Sequence, residues 1–350
     1  MKISTVAIRE GYDGKTCLVH ARMCVMPDGK RVATAQDLDV FGMDLFGGIK
    51  LSVDYGDFVA QEGLLPIANP DGTVSVGCDG TPMYHEKSGK VILLGHRAVY
   101  MPDGKAPVKE YLPATFYSVF DGERFSKMRV VEMPKGLACG NGSGQSVEDE
   151  DGTILIPVYM KTERGYYGSA VMRCAFDGEN LTFLEMGNVL RLEVERGLYE
   201  PSIVRFGGMY HMTLRNDLGG YHTVSRDGLH FEEAEIWRFE DGETLGNYNT
   251  QQHWLVCDGK LYLVYTARGH DNDHVFRHRA PLLMAEVRGG RLVRESECIV
   301  APERGARLGN FGVCQVSQDH AIIMAAEWMQ PRGCEKYGSN NAIWVTDVRA

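Results

Sequence analysis

The chain has 350 residues, 44% of them hydrophobic and 24% charged, with 41 glycines and a formal net charge of −10. That charge disfavours a phosphate backbone as partner, so no nucleic acid is expected. No run of about 18 apolar residues suggests a membrane span, and MKISTVAIREGYDG lacks the apolar core of a signal peptide, so a cytoplasmic chain with no membrane partner is expected.

In chain order, one hairpin signature appears six times, roughly every 50 to 63 residues. It runs apolar strand, tight turn, apolar strand: MCVMPDGKRVATA at Gly29, PMYHEKSGKVILLG at Gly89, QSVEDEDGTILIPVY at Gly152, SIVRFGGMYHMTL at Gly207, HWLVCDGKLYLVY at Gly259 and VCQVSQDHAIIMAAEW at Asp319. A period of this length, in strands and turns with few helical stripes, predicts an all-β, six-bladed β-propeller formed by residues 1–350 as one domain. STVAI near the N-terminus is expected to pair with AIWVTDV at the C-terminus, closing the ring and protecting an open edge. The nine cysteines lack CxxC spacing and read as buried free thiols; no metal or other cofactor is expected.

LSVDYGDF (Leu51 to Phe58) and SRDGLHF (Ser225 to Phe231) are turns in which an aspartate can accept backbone N–H groups, with weaker echoes in SVFDGERF and CAFDGENLTF. These turns resemble the Asp-box of the sialidase superfamily of glycoside hydrolases, and Asp54 and Asp227 are read as structural. The resemblance extends to three longer segments. TAQDLDVFGMDLFGGIKLSVDYGDF looks like a sialidase first blade, which implies an acid/base aspartate among Asp37, Asp39 and Asp44, with Asp39 chosen. YEPSIVRFGGMYHMTLRND is similar to the segment carrying a glutamate and an arginine, here Glu200 and Arg215. YTARGHDNDHVFRHRAPLLMAEV is similar to the region supplying a further carboxylate-binding arginine, for which Arg277 and Arg279 compete. The chain departs from the family where no Ile-Pro follows Arg22, and where Asn310 and Phe311 stand at the place of the tyrosine nucleophile.

Independently of the resemblance, the inner-strand ends deliver many titratable groups to the axis. Candidate substrate-binding residues are Arg22, Arg97, Arg215, Arg277, Arg279, His253, His270, His274, Asn310, Glu327 and Trp328, the last as a sugar platform. His20, His96 and Tyr159 also belong to this inventory. A pocket rich in arginine and carboxylate suits an acidic sugar of a glycan or oligosaccharide. Three functions stay open: a sialidase-like exo-glycosidase with Asp39, Glu200 and Asp37 as catalytic carboxylates; a uronate lyase using the blade-five run with His270, His274, His278 and nearby His253; and a non-catalytic sugar-binding propeller. GNGSGQS at 140–146 is read as a loop leading into a blade.

Overall fold

The computed structural model describes residues 1–39, 46–101, 108, 112–142, 144–246 and 249–350. Six small antiparallel sheets stand in a ring, making a six-bladed β-propeller. Every hairpin read from the sequence joins neighbouring strands of one blade, in five of the six the first strand of the sheet and the next; in blade two the short strand Ile67–Ala68 precedes them. In blade one, for example, Thr16–Val25 pairs with Arg31–Asp39 across the turn at Gly29. Five of the six turns place a glycine at positive φ, a conformation open to glycine without a Cβ penalty. The N-terminal strand Lys2–Arg9 pairs with Ile343–Arg349 and is the outermost strand of blade six. The Thr5 and Thr346 hydroxyls lie 3.1 Å apart across that seam although 341 residues separate them in sequence.

The apolar residues pack between blades, which is what alternation along a sheet with two covered faces produces. One cluster joins blades six, one and two through Ile322, Leu51, Leu93 and Phe116; others join two to three, three to four, four to five and five to six. A fully buried aromatic such as Phe116 contributes about 1.5–3 kcal/mol of transfer free energy. Trp237 and Trp254 are likewise buried in the contact between blades four and five. All nine cysteines are free, eight of them buried. Among the described residues no helix is long and apolar enough to cross a membrane.

The rim turns behave as small rigid caps. Asp227 accepts the N–H groups of Leu229 and His230 at 2.9 and 2.7 Å, and Asp121 and Asp177 each take two N–H groups in the same way. Asp54 instead accepts the N–H of Arg31, so it ties two strands of blade one together. In its described residues the GNGSGQS segment is a loop with one bridge, at Gly140, and it leads into Val147–Glu148, the innermost strand of blade three. Gly140 exchanges two backbone bonds with Tyr159, and a Cβ on Gly144 would stand 2.3 Å from the Pro201 carbonyl. Its glycines therefore permit two blades to meet near the axis. Gln145 follows and crosses to the next blades, accepting from the Trp254 N–H at 2.6 Å and from the Ser202 hydroxyl at 3.1 Å.

Candidate active site

The mouth of the propeller is marked by a repeated backbone device. His20, Asp79, Glu200, Asn249 and Asn310, from blades one, two, four, five and six, all hold positive φ between 43° and 63° without being glycine. In blades one, two and four the residue sits where the strand register slips. Such a bulge re-aims a side chain, and the left-handed backbone costs on the order of 1–3 kcal/mol, which the surrounding structure must hold. Five polar residues in this strained conformation, three within an inner strand and two just before one, make up the candidate site.

Two carboxylates organise it. Asp79 lies between blades one, two and six, with its side chain 8% exposed. His20 Nδ1 approaches its Oδ1 at 2.9 Å and Arg22 Nη2 at 3.2 Å, while Asn310 Nδ2 donates to the same oxygen at 3.1 Å. His96 Nδ1 stands 3.8 Å from Oδ2. Burial alone would raise the Asp79 pKa, but the His20, Arg22 and His96 charges outweigh it and hold the carboxyl well below its ordinary value. Across the axis, Glu200 binds Arg215 through Oε2 and accepts from Gln251 Nε2 at 2.9 Å on that same oxygen. Oε1 has no hydrogen-bond partner among the described residues. Antiparallel pairing sets Arg215 opposite Tyr199, whose ring lies 4.8 Å beneath the guanidinium.

Arg279 completes the arrangement. It is buried and donates to the Asn249 carbonyl, with Nε at 3.1 Å. No carboxylate lies within ion-pair distance of it among the described residues. Burial, then repulsion from Arg215, Arg307 and Arg277, push its pKa well below the usual guanidinium value. The segment RLGNFG explains how two arginines reach the axis. A Cβ on Gly309 would meet Arg279 Nη1 at 2.6 Å, and one on Gly312 would meet Arg22 Cγ at 2.7 Å. The two glycines make room for the guanidinium side chains on either side of Asn310.

The remaining candidates are placed as follows. Asp37 pairs with Lys50 at 3.1 Å at the same end of blade one; the Asp39 side chain and Asp44 lie outside the described residues. Arg97 is half-buried on the second strand of blade two, opposite Gly77. His253 is buried, its Nδ1 3.0 Å from the Ser202 hydroxyl, and burial and the Arg22 charge push it down to about 3. Arg277 is half-buried with its guanidinium 5.1 Å from the Phe276 ring.

Three expectations need correction. Trp328 is 1% exposed and enclosed by Arg307 at 3.3 Å and by the rings of His20 and Phe46, so it offers no face to a sugar. Glu327 is equally buried, pairs with Arg304 at 2.7 Å and accepts the N–H groups of Asn340 and Ala342, which makes it a loop anchor. The blade-five histidines do not share a strand face: the chain from 270 to 281 is a loop with a short 3-10 turn at Phe276–His278. His270, His274 and His278 turn to three different carboxylates, those of Glu297, Glu303 and Asp273. Asp79 went unrecognised in the sequence because CDG reads as a turn, although it interrupts a strand, Val74–His85, whose neighbours are buried.

No protein-family model and no curated protein matches the sequence. Solved structures do match in fold. A protein of unknown function from Dyadobacter fermentans superposes with a TM-score of 0.69 at 14% identity, over 99% of both chains. Trypanosoma rangeli sialidase in complex with sialic acid gives 0.65 at 14% identity, over 100% of this chain and 59% of that one. A Hadza microbial sialidase gives 0.64 at 11% identity, over 99% of this chain and 68% of its own. At these identities the likeness is one of fold, and the fold of this chain is that of the sialidase propeller.

Proposed function

We propose that the protein is a glycoside hydrolase that cleaves a terminal acidic sugar from a glycan. Arg279 carries the reading. A guanidinium buried without a carboxylate is costly, and a sugar carboxylate bound there supplies the missing charge through two parallel bonds. Arg215, Arg307 and Arg277 stand close enough to repel Arg279, so the position is strongly cationic in a chain whose net charge is −10. The sialic acid bound by a neighbour of the same fold is an acidic sugar, which supports this substrate class.

In this reading Glu200 presents Oε1 to the reacting centre as base or nucleophile, its other oxygen fixed by Arg215 and Gln251. Asp39, at the open end of blade one, protonates the leaving oxygen. Asn310 offers no hydroxyl where the family resemblance implies a tyrosine, so the carboxylates carry the chemistry. The test is a panel of sialosides, other ulosonides, uronides and neutral glycosides, assayed for released sugar. Release confined to acidic sugars, lost in Glu200→Gln and no longer selective for acid in Arg279→Ala, is expected. Equal turnover of neutral glycosides, or release from none, overturns the proposal.

A further inference from the structure

We infer that His96 and Tyr159 form a second acid–base pair in this site, giving it a further activity: β-elimination of a uronate glycoside. The inference rests on the acidic-sugar anchorage at Arg279 but not on the hydrolytic step. Its basis is a juxtaposition on the glycine-rich loop that leads into blade three. Gly140 pairs with Tyr159 through two backbone bonds, and a Cβ on Gly140 would sit 3.2 Å from His96 Cβ. Two residues on, a Cβ on Gly142 would sit 3.3 Å from the Tyr159 hydroxyl and 3.6 Å from Glu200 Cγ. His96 and Tyr159 thus flank the same glycine-rich loop, between the Asp79 and Glu200 centres. Both are accessible: the His96 side chain is 24% exposed and Tyr159 is half-buried.

Each is held in the protonation state its role requires. Burial lowers the His96 pKa against the opposing pull of Asp79 and Glu200, with His20 and Arg22 adding to the lowering, so the imidazole is neutral at pH 7. Burial raises the Tyr159 pKa well above its ordinary value, and Glu200 and Asp79 raise it further, so the phenol keeps its proton. A site that drives two groups apart in this way separates a base from an acid. Asp79, 3.8 Å from His96 Nδ1, stabilises the imidazolium that forms.

The step balances without a co-reactant. A uronate carries a hydrogen on the ring carbon beside its carboxylate. His96 Nε2 takes that proton, the C–H pair becomes the C4=C5 double bond, and the C4–O bond breaks onto the leaving oxygen, which receives the Tyr159 proton. Solvent then returns a proton to Tyr159 and removes one from His96. The buried guanidiniums lower the cost of charge on the carboxylate during abstraction. An ulosonic acid has no hydrogen on the carbon bearing its carboxylate and cannot follow this route, so the substrate selects the outcome.

The experiment gives the intact protein a 4-linked uronide oligosaccharide, its C5-deuterated form and a sialoside, following ultraviolet absorbance of the unsaturated product and released reducing sugar together. Absorbance from the uronide, slowed several-fold by deuterium and reduced by about 10²–10⁴ in His96→Asn and Tyr159→Phe with unchanged melting temperatures, is expected. Elimination should persist below pH 6.5, because His96 titrates below that ordinary value. Uronide cleavage without absorbance, or variants that retain it, overturns the elimination. Sialoside hydrolysis without uronide elimination sinks this inference alone, elimination without hydrolysis sinks the hydrolytic proposal alone, and inactivity on both sinks both.

Discussion

The Asp79 and Glu200 centres use the same backbone device to opposite ends. Both carboxylates sit on left-handed residues beside an arginine. Asp79 is saturated on one oxygen by His20, Arg22 and Asn310 and is nearly closed to solvent. Glu200 keeps its side chain 16% exposed, with both partners on a single oxygen. One centre is a buttress locking blades one, two and six together; the other keeps one oxygen without a partner among the described residues, which suits the reactive role proposed for it. Sequence alone does not separate the two, because the difference lies in how many donors converge on each oxygen.

The sharpest way to break this comparison is to neutralise each carboxylate. Glu200→Gln is expected to lower kcat by about 10²–10⁴ and, because it removes the Arg215 carboxylate partner but keeps a hydrogen-bonding oxygen there, to lower stability less than Asp79→Ala does in chemical denaturation. Asp79→Ala leaves Arg22 buried without its partner, and is expected to cost about 3–5 kcal/mol in the same denaturation assay. If Glu200→Gln unfolds the protein or Asp79→Ala leaves it stable, the two roles are misassigned.

Smaller effects sharpen the contrast. Gly309→Ala pushes on Arg279 and Gly312→Ala on Arg22, each expected to cost about 1–3 kcal/mol. Only Gly309→Ala should also raise KM for an acidic sugar, since Arg279 is the proposed anchor. The smallest effect concerns Asp217, beside the Glu200 centre. Burial opposes its ionisation, but Arg196 and the Tyr199 hydroxyl outweigh burial and hold it at about 2. A depressed carboxylate contributes stability above its unfolded pKa and loses it as pH falls from about 4 toward 2. With Arg196 half exposed and screened, the loss is on the order of 1 kcal/mol, read as a shallower acid limb in Asp217→Asn.

The propeller was legible in the chain because its turns announce themselves: each hairpin carries its glycine or aspartate at nearly constant spacing, and the strand period does the rest. The Glu200–Arg215 contact was legible for a related reason, since a hairpin of known turn fixes which residues face each other. Asp79 was not, because a bulge inside a long strand has the same letters as a turn. Trp328 and Glu327 were misjudged because a strand end near the axis can be sealed by its own neighbours, here Arg307 and Arg304. The blade-five histidines form one run in the sequence, whereas the chain there leaves the sheet and turns them to three different carboxylates.

The seam between Lys2–Arg9 and Ile343–Arg349 also dictates an order of events during biosynthesis. Of the propeller's strands Lys2–Arg9 is the first made and the last to find its place, because its partner is made some 340 residues later. Until then it is an unpaired edge bearing Val6, and blade six lacks its outer strand. Ring closure is therefore a late, long-range step, slow by its loop-closure entropy, and a nascent chain stalled before residue 343 exposes two unpaired edges, Lys2–Arg9 and His320–Ala326, open to pairing with other molecules.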